Sequence, residues 1–342
     1  MPDEQAARIM RERENPDAVE TGKTPDFRPG GKSEMPAPGG KIKNVGDPGT
    51  PLGVYQPDPV HSASDSGYKN LPLADLPTRG IFYPDTWELT IKPATVNEIR
   101  HWSSMDRGDM LDMDEKMNFI VEKCVRIIEK GVPVDWRELK DIDRLFIIFR
   151  VQELTFPNDE NKIMMKFICQ NNNCPGDDTY VKREALSSDM LNIFELPDKL
   201  MKYFDHDKRV LRVESQKTQK TYNFAPPTIG ASQRLKSYTQ NKRENGEKID
   251  RAFVRIAPYI MHDFRVMTDE YIDKQRALST AWSKNEVLFF SWVAEQMEEG
   301  VKLTATTKCP RCSSAIVMPL FFRDGIQIKD LFSISDPTDG FI

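Results

Sequence analysis

Histidine is scarce in this chain of 342 residues: there are four, at 61, 101, 206 and 262. None belongs to an HExxH run, and no GxSxG elbow or P-loop is present. The commonest zinc-hydrolase, serine-hydrolase and NTPase signatures are therefore missing. Long apolar runs are missing too. No stretch reaches the roughly 18–20 apolar residues that cross a bilayer, so no membrane span is expected. The opening MPDEQAARIMRERENPD has no apolar core and is too acidic for a typical transit peptide, so neither a secretory nor an organellar leader is expected. Charge of one sign is not in excess either. Lys and Arg total 48 against 53 Asp and Glu, a formal net charge of -5, which leaves no electrostatic footprint for nucleic acid or a lipid surface. Cysteine is limited to five residues. In a reducing cytosol, paired cysteines serve as metal ligands more often than as disulfides.

What is there divides unevenly. Residues 1–70 are rich in Pro, Gly, Asp, Ser and Lys and show no helical or strand period. Such a stretch buries too little apolar surface to offset its ordering entropy, so it reads as a disordered arm or as one that orders on a partner. Val54, Tyr55, Tyr68 and Leu71 are its candidate anchors.

Order is expected from Leu71. Trp87, Leu89 and Ile91 alternate as a short strand, and Thr95 with Glu98 makes a capping box. Met117, Ile120, Val121, Cys124, Ile127 and Ile128 form one apolar stripe at helical spacing that stops at Gly131. Cys124 lies on that stripe and is expected to be a core thiol. Asp135 with Glu138 is expected to start a further helix running through DIDRLFIIFRVQELTF. The period then changes. KIMMKFIC and TYVKREAL read as strands around a polar turn, and KRVLRVES with KTYNFAPP reads as a second hairpin. A helical block follows: Thr228 to Arg243, then RAFVRIAPYIMHDF broken by Pro258, then SKNEVLFFSWVAEQMEEG ending on Gly300. The last ordered unit, VKLTATTKCPRCSSAIVMPLFF, is again strand, knuckle, strand.

Four of the five cysteines fall at hairpin tips: Cys169 and Cys174 as Cys-x4-Cys, Cys309 and Cys312 as Cys-x2-Cys. A short knuckle between two strands aims two sulfurs at one point, and two knuckles complete the tetrahedron of thiolates that zinc prefers. More than a hundred residues separate the knuckles, far more than the about 15–20 of a compact zinc ribbon. One shared structural Zn2+ is the favoured expectation. Two empty or disulfide-bonded hairpins and an Fe–S cluster are the alternatives. Four thiolates leave no open position for catalysis, so the site is expected to be a staple. The four histidines read as structural or exposed. Asp109, Asp112, Asp114 and Glu115 read as helix N-terminal charges that favour the dipole. Lys236, Lys242, Arg243, Lys248, Arg251 and Arg255 are interleaved with acids and make no aromatic-basic stripe for single strands.

These signals predict an α+β chain: a mostly helical domain with a split zinc-ribbon-like pair of β-hairpins and a disordered N-terminal arm. The expected divisions are the arm at 1–70, a strand plus helical region at 71–160, the first knuckle hairpin at 161–190, a hairpin and helical insertion at 191–302, and the second knuckle hairpin with the C-terminal tail at 303–342.

The run Leu76-Pro77-Thr78-Arg79-Gly80-Ile81-Phe82-Tyr83-Pro84, a short strand, and then Pro93-Ala94-Thr95-Val96-Asn97-Glu98-Ile99 resembles the opening of baseplate hub proteins of T-even-type contractile-tailed bacteriophages. The likeness covers about residues 71–185, and the second knuckle is compatible with it. The long arm and the insertion between the knuckles depart from the simplest members. The resemblance implies a structural or assembly subunit of the tail baseplate, with other baseplate and hub subunits as partners. It also implies a place in the virion after assembly in the host cytoplasm. No small-molecule substrate and no enzymatic activity are expected, because no catalytic constellation stands in the sequence. A hub-assembly chaperone that leaves the particle and a zinc-ribbon nucleic-acid-binding protein are the rival expectations.

Overall fold

The computed structural model describes residues 67–320 and 331–332, apart from 107, 158–162, 177–178, 194, 216–218 and 299. All of these belong to one unit, Tyr55–Ile342. Most of the expected arm, with Val54, Tyr55 and His61, lies outside the described residues.

In chain order the elements are β1 (Lys69–Asn70), β2 (Trp87–Ile91), α1 (Val96–Ser103), α2 (Met110–Cys124), β3 (Val125–Glu129), β4 (Val132–Val134), α3 (Asp141–Thr155), β5 (Met164–Ile168), β6 (Val181–Ala185) and β7 (Leu191–Ile193). They continue as α4 (Asp198–Met201), β8 (Phe204–Asp205), β9 (Val210–Glu214), β10 (Thr221–Phe224), α5 (Ile229–Glu244), α6 (Arg251–Ile260), α7 (Asp269–Ser279), α8 (Lys284–Glu295), β11 (Val301–Lys308) and β12 (Ala315–Pro319). Helices and antiparallel sheets together make the fold α+β. The sheets are ordered β1-β2-β3-β4, β10-β9-β8, β12-β11-β7 and β5-β6.

The first sheet begins inside the stretch read as arm, where Lys69 pairs with Ile91 and the Arg126 guanidinium lies 4.2 Å from the Tyr68 ring. Thr95 caps α1 as expected, its N–H donating to the Glu98 carboxylate at 2.8 Å. The long stripe expected to remain helical to Gly131 divides instead. Met117, Ile120, Val121 and Cys124 stay on α2 and are buried, whereas Val125, Ile127 and Ile128 pair with β2. These β-branched residues suit a pleated strand better than a helix end. Lys130 and Gly131, at φ 50° and 83°, form the two-residue turn into β4, so the glycine serves a hairpin and not a helix stop.

A second difference lies before α3. Asp135 caps only the 3-10 turn Trp136–Glu138. The chain then breaks at Lys140, whose N–H donates to the Tyr83 hydroxyl at 2.8 Å, while Asp141 N–H donates to the Pro227 carbonyl. From Asp141 the helix is buried on several sides by Ile142, Phe146, Ile147, Ile148, Phe149 and Val151, as a helix with apolar residues all round must be. Pro258 does not break its segment; it sits inside α6. The helix α7, capped by Thr268, was not anticipated, although Thr268 followed by Asp269 and Glu270 is a helix-start signal. α8 is entered through a capping box between Ser283 and Glu286 and ends before Gly300.

The largest apolar cluster joins the first sheet to α1, α2 and α3, and it extends to Phe167, Cys169, Ala305, Cys309 and Phe332. Phe332 is fully buried and meets Trp102 edge-on with ring centroids 5.0 Å apart. A second cluster unites β9 and β10 with α6 and α8. A third lies among α5, α6 and α7.

Candidate metal centre

The chain that follows the first knuckle enters the sheet of the second. β6 is succeeded by β7, which pairs with β11: Leu191 stands opposite Ala305, and Ile193 opposite Val301. The segment between the knuckles therefore departs at Ile193 and returns directly across from it at Val301, so its length does not hold the hairpins apart. The return is fixed by a close approach to α3. Gly300 is buried, and a Cβ there would fall on the Ile142 carbonyl.

Each hairpin tip is shaped by its own backbone bonds. In the first, Cys169 N–H donates to the Tyr180 carbonyl at 2.9 Å and Cys174 N–H to the Asn171 carbonyl at 3.0 Å. In the second, Cys309 N–H donates to the Ser314 carbonyl at 2.9 Å, and Ser313 N–H returns to the Cys309 carbonyl at 2.8 Å. Ser313 takes a left-handed φ of 59° to close that turn. The hairpins are then joined by side chains. Asn171 Nδ2 donates to Ser314 Oγ at 2.8 Å, the Arg311 guanidinium stands 4.8 Å from the Tyr180 ring, and Thr307 Oγ1 donates to Glu184 at 2.8 Å. Asn171, Ser314 and Arg311 were not singled out as site residues; polar residues beside each cysteine pair were the signal.

The four sulfurs converge. Cys169 Sγ lies 3.7 Å from Cys312 Sγ, and Cys174 Sγ lies 3.8 Å from Cys309 Sγ. All four ligand atoms fall within 4.8 Å of one another. Each short contact joins one hairpin to the other. None of the five cysteines is in a disulfide. Cys169 and Cys309 are buried, and Cys174 and Cys312 are half-buried. Hydrogen bonds from the Ser314 hydroxyl and amide hold the Cys312 thiol down at about 6, whereas burial and the thiols of Cys312 and Cys309 push Cys174 up to about 12. Cys124 stands apart on α2, fully buried, and burial raises it to about 12. Among the described residues, the four clustered cysteines are the group able to hold a metal ion.

Several of the other candidate groups are engaged elsewhere. Asp109 caps α2. Asp114 pairs with Arg144 at 2.7 Å and with Lys236 at 2.8 Å, and Asp112 pairs with Lys116. His101 stacks on Phe119, and His206 is exposed beside Phe204. His262 Nε2–H donates to the Asn223 carbonyl at 2.7 Å, and burial lowers its pKa to about 4. Lys242 meets Glu247 and Asp273, and Arg255 meets Glu295.

A second polar centre was not anticipated. Asp143, fully buried on α3, accepts from Thr78 N–H at 2.9 Å, Thr78 Oγ1 at 2.7 Å and the Tyr83 hydroxyl at 2.7 Å. Burial raises its carboxyl to about 6 and lowers the adjacent Lys140 to about 8. Thr78 and Tyr83 both belong to the Leu76–Pro84 run, so that run is a docking segment for α3. A carboxylate set among Ile142, Phe146 and Ile147 on an apolar helix was the available signal, since such a group demands donors when buried. No protein-family model, curated protein or solved structure matches the chain.

Proposed function

We propose that this chain is a non-catalytic structural subunit of a contractile-tail phage baseplate, at or beside the central hub, stapled by one Zn2+ held by Cys169, Cys174, Cys309 and Cys312. The observation that carries the metal assignment is the pair of cross-hairpin sulfur contacts at 3.7 and 3.8 Å. A tetrahedron with Zn–S bonds of about 2.3 Å has edges of about 3.8 Å. The all-thiolate donor set suits zinc, and four protein ligands leave no position for a substrate or a reactive water. The hairpins together make a split zinc ribbon in which β7 and β11 carry the chain out to the insertion and back.

The baseplate assignment rests on the Leu76–Pro84 run and the capped helix start that follows it. In this fold the run supplies Thr78 and Tyr83 to the buried Asp143, which explains why those residue types stand there. A nucleic-acid role is disfavoured by the acids interleaved with the basic residues, three of which are ion-paired, Lys236, Lys242 and Arg255.

Metal analysis of the purified full chain tests the staple: one zinc per chain is expected, and iron in its place would replace the zinc with a cluster. A chain with neither metal sinks the centre altogether. Mass spectrometry of purified virions tests the subunit role. Stoichiometric presence is expected, and presence only in assembling extracts would make the chain an assembly chaperone.

A further inference from the structure

A groove of about 440 Å³ runs between α5, α6 and the first turn of α2. Its floor and one wall are a single helical face of α5: Ser232, Leu235, Lys236, Thr239, Gln240 and Arg243. The spacing of three, one, three, one and three residues keeps this face in line for three turns. At 1.5 Å per residue the face is about 17 Å long. Val254 and Pro258, one turn apart on α6, make the opposite wall. Pro258 has no N–H to give the Val254 carbonyl four residues earlier. A prolyl residue inside α6 thus coincides with the groove and shapes its wall. Met110 and Leu111 complete the lining. They are 75% and 50% exposed in the first turn of α2, where polar residues would satisfy the helix start without leaving apolar surface in water. Ser232 and Pro258 also line a further cavity of about 400 Å³ that reaches Val301.

We infer that this groove is a docking site for one amphipathic, acidic helix of a partner subunit. The length of the face matches about three helical turns, and an apolar channel of this form receives an apolar stripe at i, i+3 or i+4, and i+7. The charge of the groove selects the flanks of that stripe. The charged residues that line it, Lys236 and Arg243, are both cations. Lys236 already meets Asp114, while Arg243 has no ion pair among the described residues. Met110 supplies an unbranched, adaptable side chain at the mouth, suited to closing over a partner. The inference goes beyond the zinc-stapled baseplate subunit and does not depend on it, because neither the cysteines nor the Leu76–Pro84 run contributes to the groove.

The test uses the full chain and a fluorescein-labelled designed helix of about four turns, with leucines at i, i+3, i+7 and i+10 and glutamates beside them. A second probe carries lysines in place of the glutamates. Fluorescence anisotropy should show the glutamate probe binding at least about tenfold more tightly than the lysine probe, with the difference shrinking as salt is raised. Arg243→Glu, an exposed change that leaves the core alone, should abolish or reverse that preference. Thr239→Trp, which fills the channel, should weaken the glutamate probe at least about tenfold while circular dichroism stays unchanged. Equal or absent binding of the two probes overturns the inference. So does displacement of the glutamate probe by a single-stranded oligonucleotide of higher affinity. Loss of self-association by the Thr239→Trp chain in sedimentation would assign the groove to a second copy and overturn it as well. Metal content, measured on the same samples, reports separately on the zinc staple.

Discussion

The cysteine cluster and the Asp143 node both join stretches far apart in sequence, yet by different chemistry. The thiols connect residues 143 and 135 positions apart, and the carboxylate connects residues 65 and 60 positions apart. Bringing four thiols within 4.8 Å yields little attraction of its own; on the proposed reading, an ion that replaces their protons adds the closing energy. The carboxylate needs no ion. Thr78 and Tyr83 donate three hydrogen bonds to it, which offset part of the cost of burying the carboxyl away from water. On that reading, one centre answers to metal supply and the other to internal complementarity.

The comparison can be broken from either side. Cys309→Ser should have the largest effect, because Cys309 is almost fully buried and a ligand loss opens the whole site. Stoichiometric metal should disappear and the unfolding free energy should fall by about 5 kcal/mol or more. Retention of full metal and melting temperature would show that the thiols are ordinary core residues. Asp143→Ala comes next, at about 3 kcal/mol, since it strands three buried donors. Its metal content should match wild type. A parallel loss of zinc would mean that the two centres act as one.

The pH dependence sharpens the contrast at smaller scale. Burial lifts the Asp143 carboxyl from its ordinary 3.8 to about 6. A carboxyl raised on folding binds its proton more tightly in the folded state. Its stabilising contribution is therefore full below about pH 4 and is lost as pH rises through about 6. The difference in unfolding free energy between wild type and Asp143→Asn should decline across that window in chemical denaturation, and a flat difference would remove the assignment. The smallest effect is expected at Asn171→Ala, which deletes one hydrogen bond between the hairpins and one exposed bond from Asn173 N–H within the first turn. It should cost about 1 kcal/mol and leave the metal bound. A loss as large as that of Cys309→Ser would make the side-chain bridge, not the metal, the tie.

Much of the local structure was legible because it depends on neighbours in sequence. Thr95 with Glu98 specified a helix start, and Cys-x4-Cys and Cys-x2-Cys specified two turns. The stripe through Cys124 misled at its C-terminal end because Ile127 and Ile128 satisfy a helical period and a strand equally well. Only the partner strand Trp87–Ile91 decides between them. Asp135 likewise has the side chain of a cap, but the bonds from Lys140 to Tyr83 and from Asp141 to Pro227 set the helix boundary. Those partners lie too far along the chain for a local pattern to name.

The sequence by itself determined the ligand chemistry: four soft donors in two short turns, a core cysteine set apart from them, and histidines outside any signature. Tertiary structure alone decided that the four donors meet. Strand pairing puts Ile193 opposite Val301, and the missing side chain of Gly300 lets the returning strand approach the Ile142 carbonyl of α3. Side-chain type sets what a residue can bind, whereas convergence of distant residues depends on backbone pairing and packing across the whole chain.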